Sequence, residues 1–153
     1  MIRFGKEKSL SSSSEDMPSS VSDRYKDLNS LLKKFFPNLF TVTGPGSPSV
    51  LSNMIVSIEQ HIDWIARCIS DLDQCGAQTI EATPEAEDEW IAHVNDVAQN
   101  TMFTAKSCNS WYLGANIPGK PRIFMPYVGG VGVYREKCDE VARNGYQGFE
   151  LSA

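Results

Sequence analysis

The longest periodic signal in the chain runs from residue 51 to 72. Leu51, Met54, Ile55, Ile58, Ile62, Ile65, Ile69 and Leu72 return there at steps of three and four. That spacing predicts a long amphipathic helix, stopped near Gly76. Ahead of it, "NLFTVTG" (38–44) is a short β-rich apolar run, read as a strand buried on both faces of a sheet. "GPGSPS" then turns into the helix, with Ser47 as its N-cap and Pro48 at the first helical position. A second helix is announced by "TPEAEDEW". Thr83 caps it, Pro84 opens it, and Glu85, Glu87 and Asp88 sit at the positive end of its dipole. Its apolar stripe is Trp90, Val94, Val97 and Ala98. "RIFMPYVGG" predicts a strand interrupted by Pro126, and "REKCDEVARNG" a last short helix ending at Gly145.

The first 35 residues read differently. Residues 1 to 22 hold eight serines and no apolar period, a composition that cannot offset its ordering entropy, so disorder is expected. "YKDLNSLLKKFF" (25–36) has the spacing of a short amphipathic helix, cut off by Pro37. The division that follows is 1–35, Ser-rich, and 36–152, a folded α/β unit.

Composition narrows the function classes. With 153 residues, 41% hydrophobic and 22% charged, the chain is long enough for one ordinary domain and far from a disordered composition. A net charge of −5 argues against nucleic acid or an anionic membrane surface as a partner, so any anion site must be local. No apolar run reaches the roughly 18–20 residues that span a bilayer. The basic start lacks the apolar segment of a secretory signal, and a cytoplasmic protein with reduced thiols is expected. Cys68, Cys75, Cys108 and Cys138 match no zinc spacing, and His61 and His93 lie outside any ligand frame, so no metal site is predicted.

Three stretches carry chemistry. A Gly-rich turn between a strand and a helix, as in "GPGSPS", aims free N–H groups and a positive dipole at one spot. The same residues also serve as a plain tight turn, and G-x-G-x-x-G is not met. "NSWYLGANIPGKPR" (109–122) offers an indole face that can stack on a flat ring, with Lys120 and Arg122 for phosphate. The other reading is a rim aromatic with solvated cations. "GGVGVYREK" lacks the third Gly of a dinucleotide loop and reads as a close-packed turn. His61, between Glu59 and Asp63, and His93 have no nucleophile at a useful offset, so neither reads as a general base.

Taken together, "FPNLFTVTGPGSPSVLSNMIVSIEQHIDWI", "TIEATPEAEDEW", "NSWYLGANIPGKPRIFMPYVGGVGVYR" and "NGYQGFELS" resemble the C-terminal part of Baeyer–Villiger monooxygenases of the cyclohexanone and phenylacetone type. The likeness covers about residues 36 to 152. It implies a piece of a flavoprotein with two dinucleotide-binding domains. Such enzymes bind FAD, use NADPH and O2, and insert one oxygen next to a ketone carbonyl to give an ester or lactone. The resemblance puts Ser49, Asn53 and Met54 beside the flavin, and Val50, Leu51 and Phe124 at the substrate pocket. It makes Trp111 the NADP-contacting indole of a mobile control loop, with Lys120 alongside. The family's Gly-rich cofactor motifs, its central F-x-G-x-x-x-H-x-x-x-W fingerprint and its active-site Arg are absent, and residues 1–35 show no likeness. The expectation is a fragment without turnover or tight cofactor binding on its own, completed by a separately encoded N-terminal portion. The alternative is a non-catalytic remnant or partner-binding protein.

Overall fold

The computed structural model describes residues 36–48, 52–99, 101–105, 107, 109–119 and 122–153. The expectations for residues 1–35 lie outside this set. The chain is mixed α and β. Helix α1 spans Met54–Cys75, strand β1 Thr79–Ala82, helix α2 Pro84–Ala98, helix α3 Val131–Arg143 and strand β2 Phe149–Ser152. Two short 3₁₀ turns, Met102–Thr104 and Trp111–Leu113, stand between α2 and α3.

Helix α1 begins later than the Pro48 pattern suggests. Asn53 is its N-cap, with the side-chain oxygen accepting from the Ile55 N–H at 3.1 Å. Ser47 is spent elsewhere: it is buried, and its hydroxyl donates to the Gly44 carbonyl at 2.6 Å. The helix ends as expected. Gly76 takes φ +75°, and the Gly76 and Ala77 N–H groups bond back to Asp73 and Leu72 in a Schellman closure. Helix α2 follows its local signals, with the Thr83 hydroxyl accepting from the Ala86 N–H and Pro84 opening the first turn. Helix α3 starts at Val131, four residues before Arg135, and takes in Gly132. Gly129 marks a close-packed turn, since a Cβ there would collide with the Tyr127 ring.

Neither expected strand forms. Residues 39–43 make a turn-rich segment in which Asn38 and Thr43 have positive φ, and Leu39 and Val42 are exposed. Positive φ at a β-branched residue takes the chain out of any ladder. Residues 122–128 run without a strand partner among the described residues. The sheet that does form is the antiparallel pair β1–β2, with Ile80 opposite Leu151 and Glu81 opposite Glu150. Asn38 closes the other edge of β1. Its side-chain oxygen accepts from the Ile80 N–H at 2.8 Å, its amide nitrogen donates to the Gln78 carbonyl at 2.9 Å, and its N–H reaches the Ile80 carbonyl.

Two apolar clusters hold these elements. Val94 and Ala98 of α2 pack with Leu113, Phe124 and Tyr127. Cys68 and Leu72 of α1 pack with Ile80 and Tyr146, joined by Phe40, Trp64 and Phe149. Between the clusters, α1 meets α3 through Trp64, whose indole N–H donates to the Cys138 carbonyl at 2.9 Å, and through the Arg67–Asp139 ion pair.

Candidate functional site

The "GPGSPS" turn is fixed from three sides. The Gly46 N–H donates to the Met125 carbonyl at 2.7 Å, and the Gly46 carbonyl accepts from the Trp90 indole at 3.1 Å. The Tyr127 N–H donates to the Ser47 carbonyl at 3.0 Å. The Pro48 carbonyl accepts two hydroxyls, from Ser52 and Ser57, each at 2.7 Å. Pro48 and Ser57 are fully buried, so this knot sits beneath the start of α1. Gly46 has φ +79°, and a Cβ there would come within 2.8 Å of the Trp90 indole nitrogen. Close approach, and not only turn geometry, requires glycine at this position.

The same segment holds the aromatic loop. The Met125 N–H donates to the Tyr112 carbonyl at 2.9 Å, and the Phe124 N–H donates to the Asn95 side chain at 3.0 Å. Ser110 caps the Trp111–Leu113 turn and Gly114 closes it at φ +66°. Tyr112 turns inward onto Phe103 and Phe124, with centroids 5.5 and 6.2 Å away. Trp111 turns outward, 61% exposed, with its ring centroid 4.2 Å from that of Tyr112. A half-buried aromatic thus anchors a displayed one. The displayed indole presents a flat face and one N–H donor to whatever approaches.

Among the candidate residues, Asn53 and Met54 stand exposed at the start of α1. Phe124 is only 2% exposed and lies in the core, where it supports Tyr112. Ser49, Val50, Leu51 and Lys120 lie outside the described residues. The structure therefore links the helix start and the indole loop through Met125, a residue with no signal of its own in the sequence. Trp90 and Asn95 were legible only as members of a helix, yet both tie α2 to these loops.

His61 is interior and His93 half-buried. His61 is buried, its Nδ1 accepts from the Thr43 N–H at 3.1 Å, and its ring meets Tyr134 edge-on at 5.5 Å. Burial lowers its pKa, so the neutral ring serves as an acceptor that holds the 38–44 segment. His93 packs between Trp90 and Tyr127. Burial also raises the Tyr134 and Cys138 pKa values, which keeps both protonated. Among the described residues no group of three or more His, Cys, Asp or Glu could hold a metal ion, and no helix is long and apolar enough to cross a membrane. Two shallow cavities, of about 220 and 170 Å3, are lined by none of the candidate site residues.

No family model matches the chain. It is 43% identical over 118 residues to the acetone monooxygenase (methyl acetate-forming) of Gordonia sp. (strain TY-5), a match that takes in 76% of this chain and 22% of that protein. It is 40% identical over 111 residues to a Baeyer–Villiger monooxygenase of Pseudooceanicola batsensis, covering 72% of this chain and 20% of that one. Among solved structures, an oxidized steroid monooxygenase bound to NADP superposes with a TM-score of 0.68 at 48% identity, over 77% of this chain and 21% of that one. The fold is thus that of a segment of flavoprotein monooxygenases. More narrowly, the chain belongs to the Baeyer–Villiger monooxygenase family, and it spans about a fifth of the length of the curated relatives it matches.

Proposed function

We propose that this chain supplies one wall of the active site of an FAD- and NADPH-dependent Baeyer–Villiger monooxygenase, acting in the cytoplasm. The observation that carries this reading is the hydrogen-bonded path from the turn ahead of α1 through Gly46 and Met125 to Tyr112, beside which Trp111 stands exposed. FAD and NADPH supply the redox chemistry that activates O2 for insertion of one oxygen beside a ketone carbonyl.

The residues present fit a supporting role toward both cofactors. Trp111 offers an open face for the nicotinamide end of NADPH, with Lys120 contributing charge. Ser49, Asn53 and Met54 border the flavin, and Val50 and Leu51 the ketone. Phe124 backs the pocket from the core. Asn53 spends its side-chain oxygen on the Ile55 N–H, so it shapes the helix end and leaves its amide nitrogen for a ligand. Pyrophosphate-binding loops come from a separate N-terminal portion, and the chain alone holds neither cofactor tightly.

The test is co-expression of the chain with the cofactor-binding portion of a relative such as the acetone monooxygenase. Retained yellow flavin and ketone-dependent NADPH oxidation in the pair, with neither in the chain alone, are the expected outcome. A chain that binds stoichiometric flavin unaided, or a pair that never gains ketone dependence, overturns the reading. The competing role, a non-catalytic partner-binding protein, draws on the apolar face that α1 leaves open.

A further inference from the structure

Tyr146 occupies a backbone position that tyrosine seldom takes. It follows Gly145 into the left-handed region, at φ +61°, where a bulky side chain is an outlier. Strain of this kind persists only where the surrounding structure enforces it, and it collects at functional sites. Here it turns the ring against α1, 5% exposed and edge-on to Trp64, with centroids 5.7 Å apart. The Tyr146 hydroxyl donates to Asp71 Oδ2 at 2.7 Å. Trp64 is half-buried and lines both shallow cavities, so its indole can be reached from outside where Tyr146 cannot. The indole N–H is committed to the Cys138 carbonyl at 2.9 Å.

We propose that Trp64, Tyr146 and Asp71 form a one-electron donor site, which quenches an oxidising radical that reaches Trp64. The oxidant takes one electron from the indole and is reduced. Tyr146 returns an electron to Trp64 across the edge-on contact, and its hydroxyl proton passes along the existing hydrogen bond to Asp71 Oδ2. Trp64 is restored, and a neutral phenoxyl radical remains beside a protonated Asp71. A phenol that loses an electron without its proton becomes a very strong acid, so its oxidation is easy only where a base already holds that proton. A carboxylate at 2.7 Å is within the reach that proton transfer needs. The indole proton stays in place, because an amide carbonyl is too weak a base to take it. Burial raises the Tyr146 pKa, which keeps the resting group a phenol with a proton to move. Burial also keeps the phenoxyl radical from meeting a second one in solution.

The inference is independent of the oxygenase reading, because neither the site nor its test involves flavin or NADPH. The purified full chain is oxidised with photogenerated ruthenium(III) tris-bipyridine, frozen, and read by EPR spectroscopy. The expected signal is a tyrosyl radical that is lost in Tyr146→Phe and in Trp64→Phe but kept in Tyr112→Phe, the neighbour of the exposed Trp111. Asp71→Asn is the deciding variant. Its side-chain oxygen still accepts the Tyr146 hydroxyl but takes no proton, so the contact survives, near-UV circular dichroism is unchanged, and the signal is lost. A tyrosyl signal that persists undiminished in Tyr146→Phe or in Asp71→Asn overturns the proposal, the second result leaving the bond to Asp71 with a structural role only.

Discussion

Replacing Gly46 by Ala tests the knot beneath the helix start with the smallest possible change. Two costs arise. At φ +79° a Cβ costs about 1–2 kcal/mol in the left-handed region. The added methyl would also stand 2.8 Å from the Trp90 indole nitrogen, so the indole must retreat and give up its bond to the Gly46 carbonyl, worth about 1 kcal/mol. Trp90 has little room to retreat, being stacked on Tyr127 at 5.4 Å and packed against His93 at 5.4 Å and Tyr134 at 6.0 Å. The sum is about 2–3 kcal/mol, a large share of the 5–15 kcal/mol that holds an ordinary domain. Gly76→Ala is the matched control, because φ is +75° there and nothing lies within 4 Å of the new methyl. Its cost is the backbone part alone. Urea unfolding followed by tryptophan fluorescence would shift its midpoint by about 1–2 M for Gly46→Ala and by clearly less for Gly76→Ala. Equal shifts for the two variants would refute the idea that Trp90 closes against this turn.

Other outcomes follow from the same geometry. Trp111→Ala, joined to a complete cofactor-binding portion, weakens NADPH use by about 1–3 kcal/mol in kcat/KM while flavin content holds. Its exposed position makes the effect on the chain's melting temperature small. Tyr146→Phe loses a 2.7 Å bond to the Asp71 carboxylate and costs about 1.5–3 kcal/mol in denaturant titration. Because burial puts the folded His61 pKa below its ordinary 6.5, the unfolded chain takes up the proton first. Stability is therefore fully present above pH 6.5 and declines as pH falls below it, and His61→Gln flattens that slope in melts from pH 7.5 to 5.

What the sequence disclosed depended on how local the deciding contacts were. Helix α2 was legible because Thr83, Pro84 and the first-turn acids are a self-contained start signal. The end of α1 was equally plain from Gly76. The start of α1 was misplaced because Ser47 and Pro48 look like a cap, and only the distant Tyr127, Trp90 and Ser57 draw them into a buried turn. "LFTV" has strand composition, yet its N–H and C=O groups find no ladder, and Thr43 goes to a histidine 18 residues away. Strands β1 and β2 are four residues each and pair across some seventy positions, a contact that no window of sequence contains. At the candidate site the displayed Trp111 was legible as an oddity of composition. The inward turn of Phe124 and the bridging role of Met125 were not, because both are set by backbone bonds.

The side-chain amide of Asn38 bears on how this small ribbon avoids growing. An exposed strand edge is a template for pairing with other chains, and a two-stranded sheet has two of them. On the β1 side the amide occupies the Gln78 carbonyl and the Ile80 N–H, so an incoming strand meets a donor and an acceptor already in use. One of its three bonds rests on the amide nitrogen alone. Asn38→Asp replaces the nitrogen that donates to the Gln78 carbonyl with an oxygen, so two acceptors would face each other at 2.9 Å. Loss of ammonia from this one residue as the protein ages would have the same result. It would free the Gln78 carbonyl at the β1 edge for intermolecular pairing with no residue added or removed.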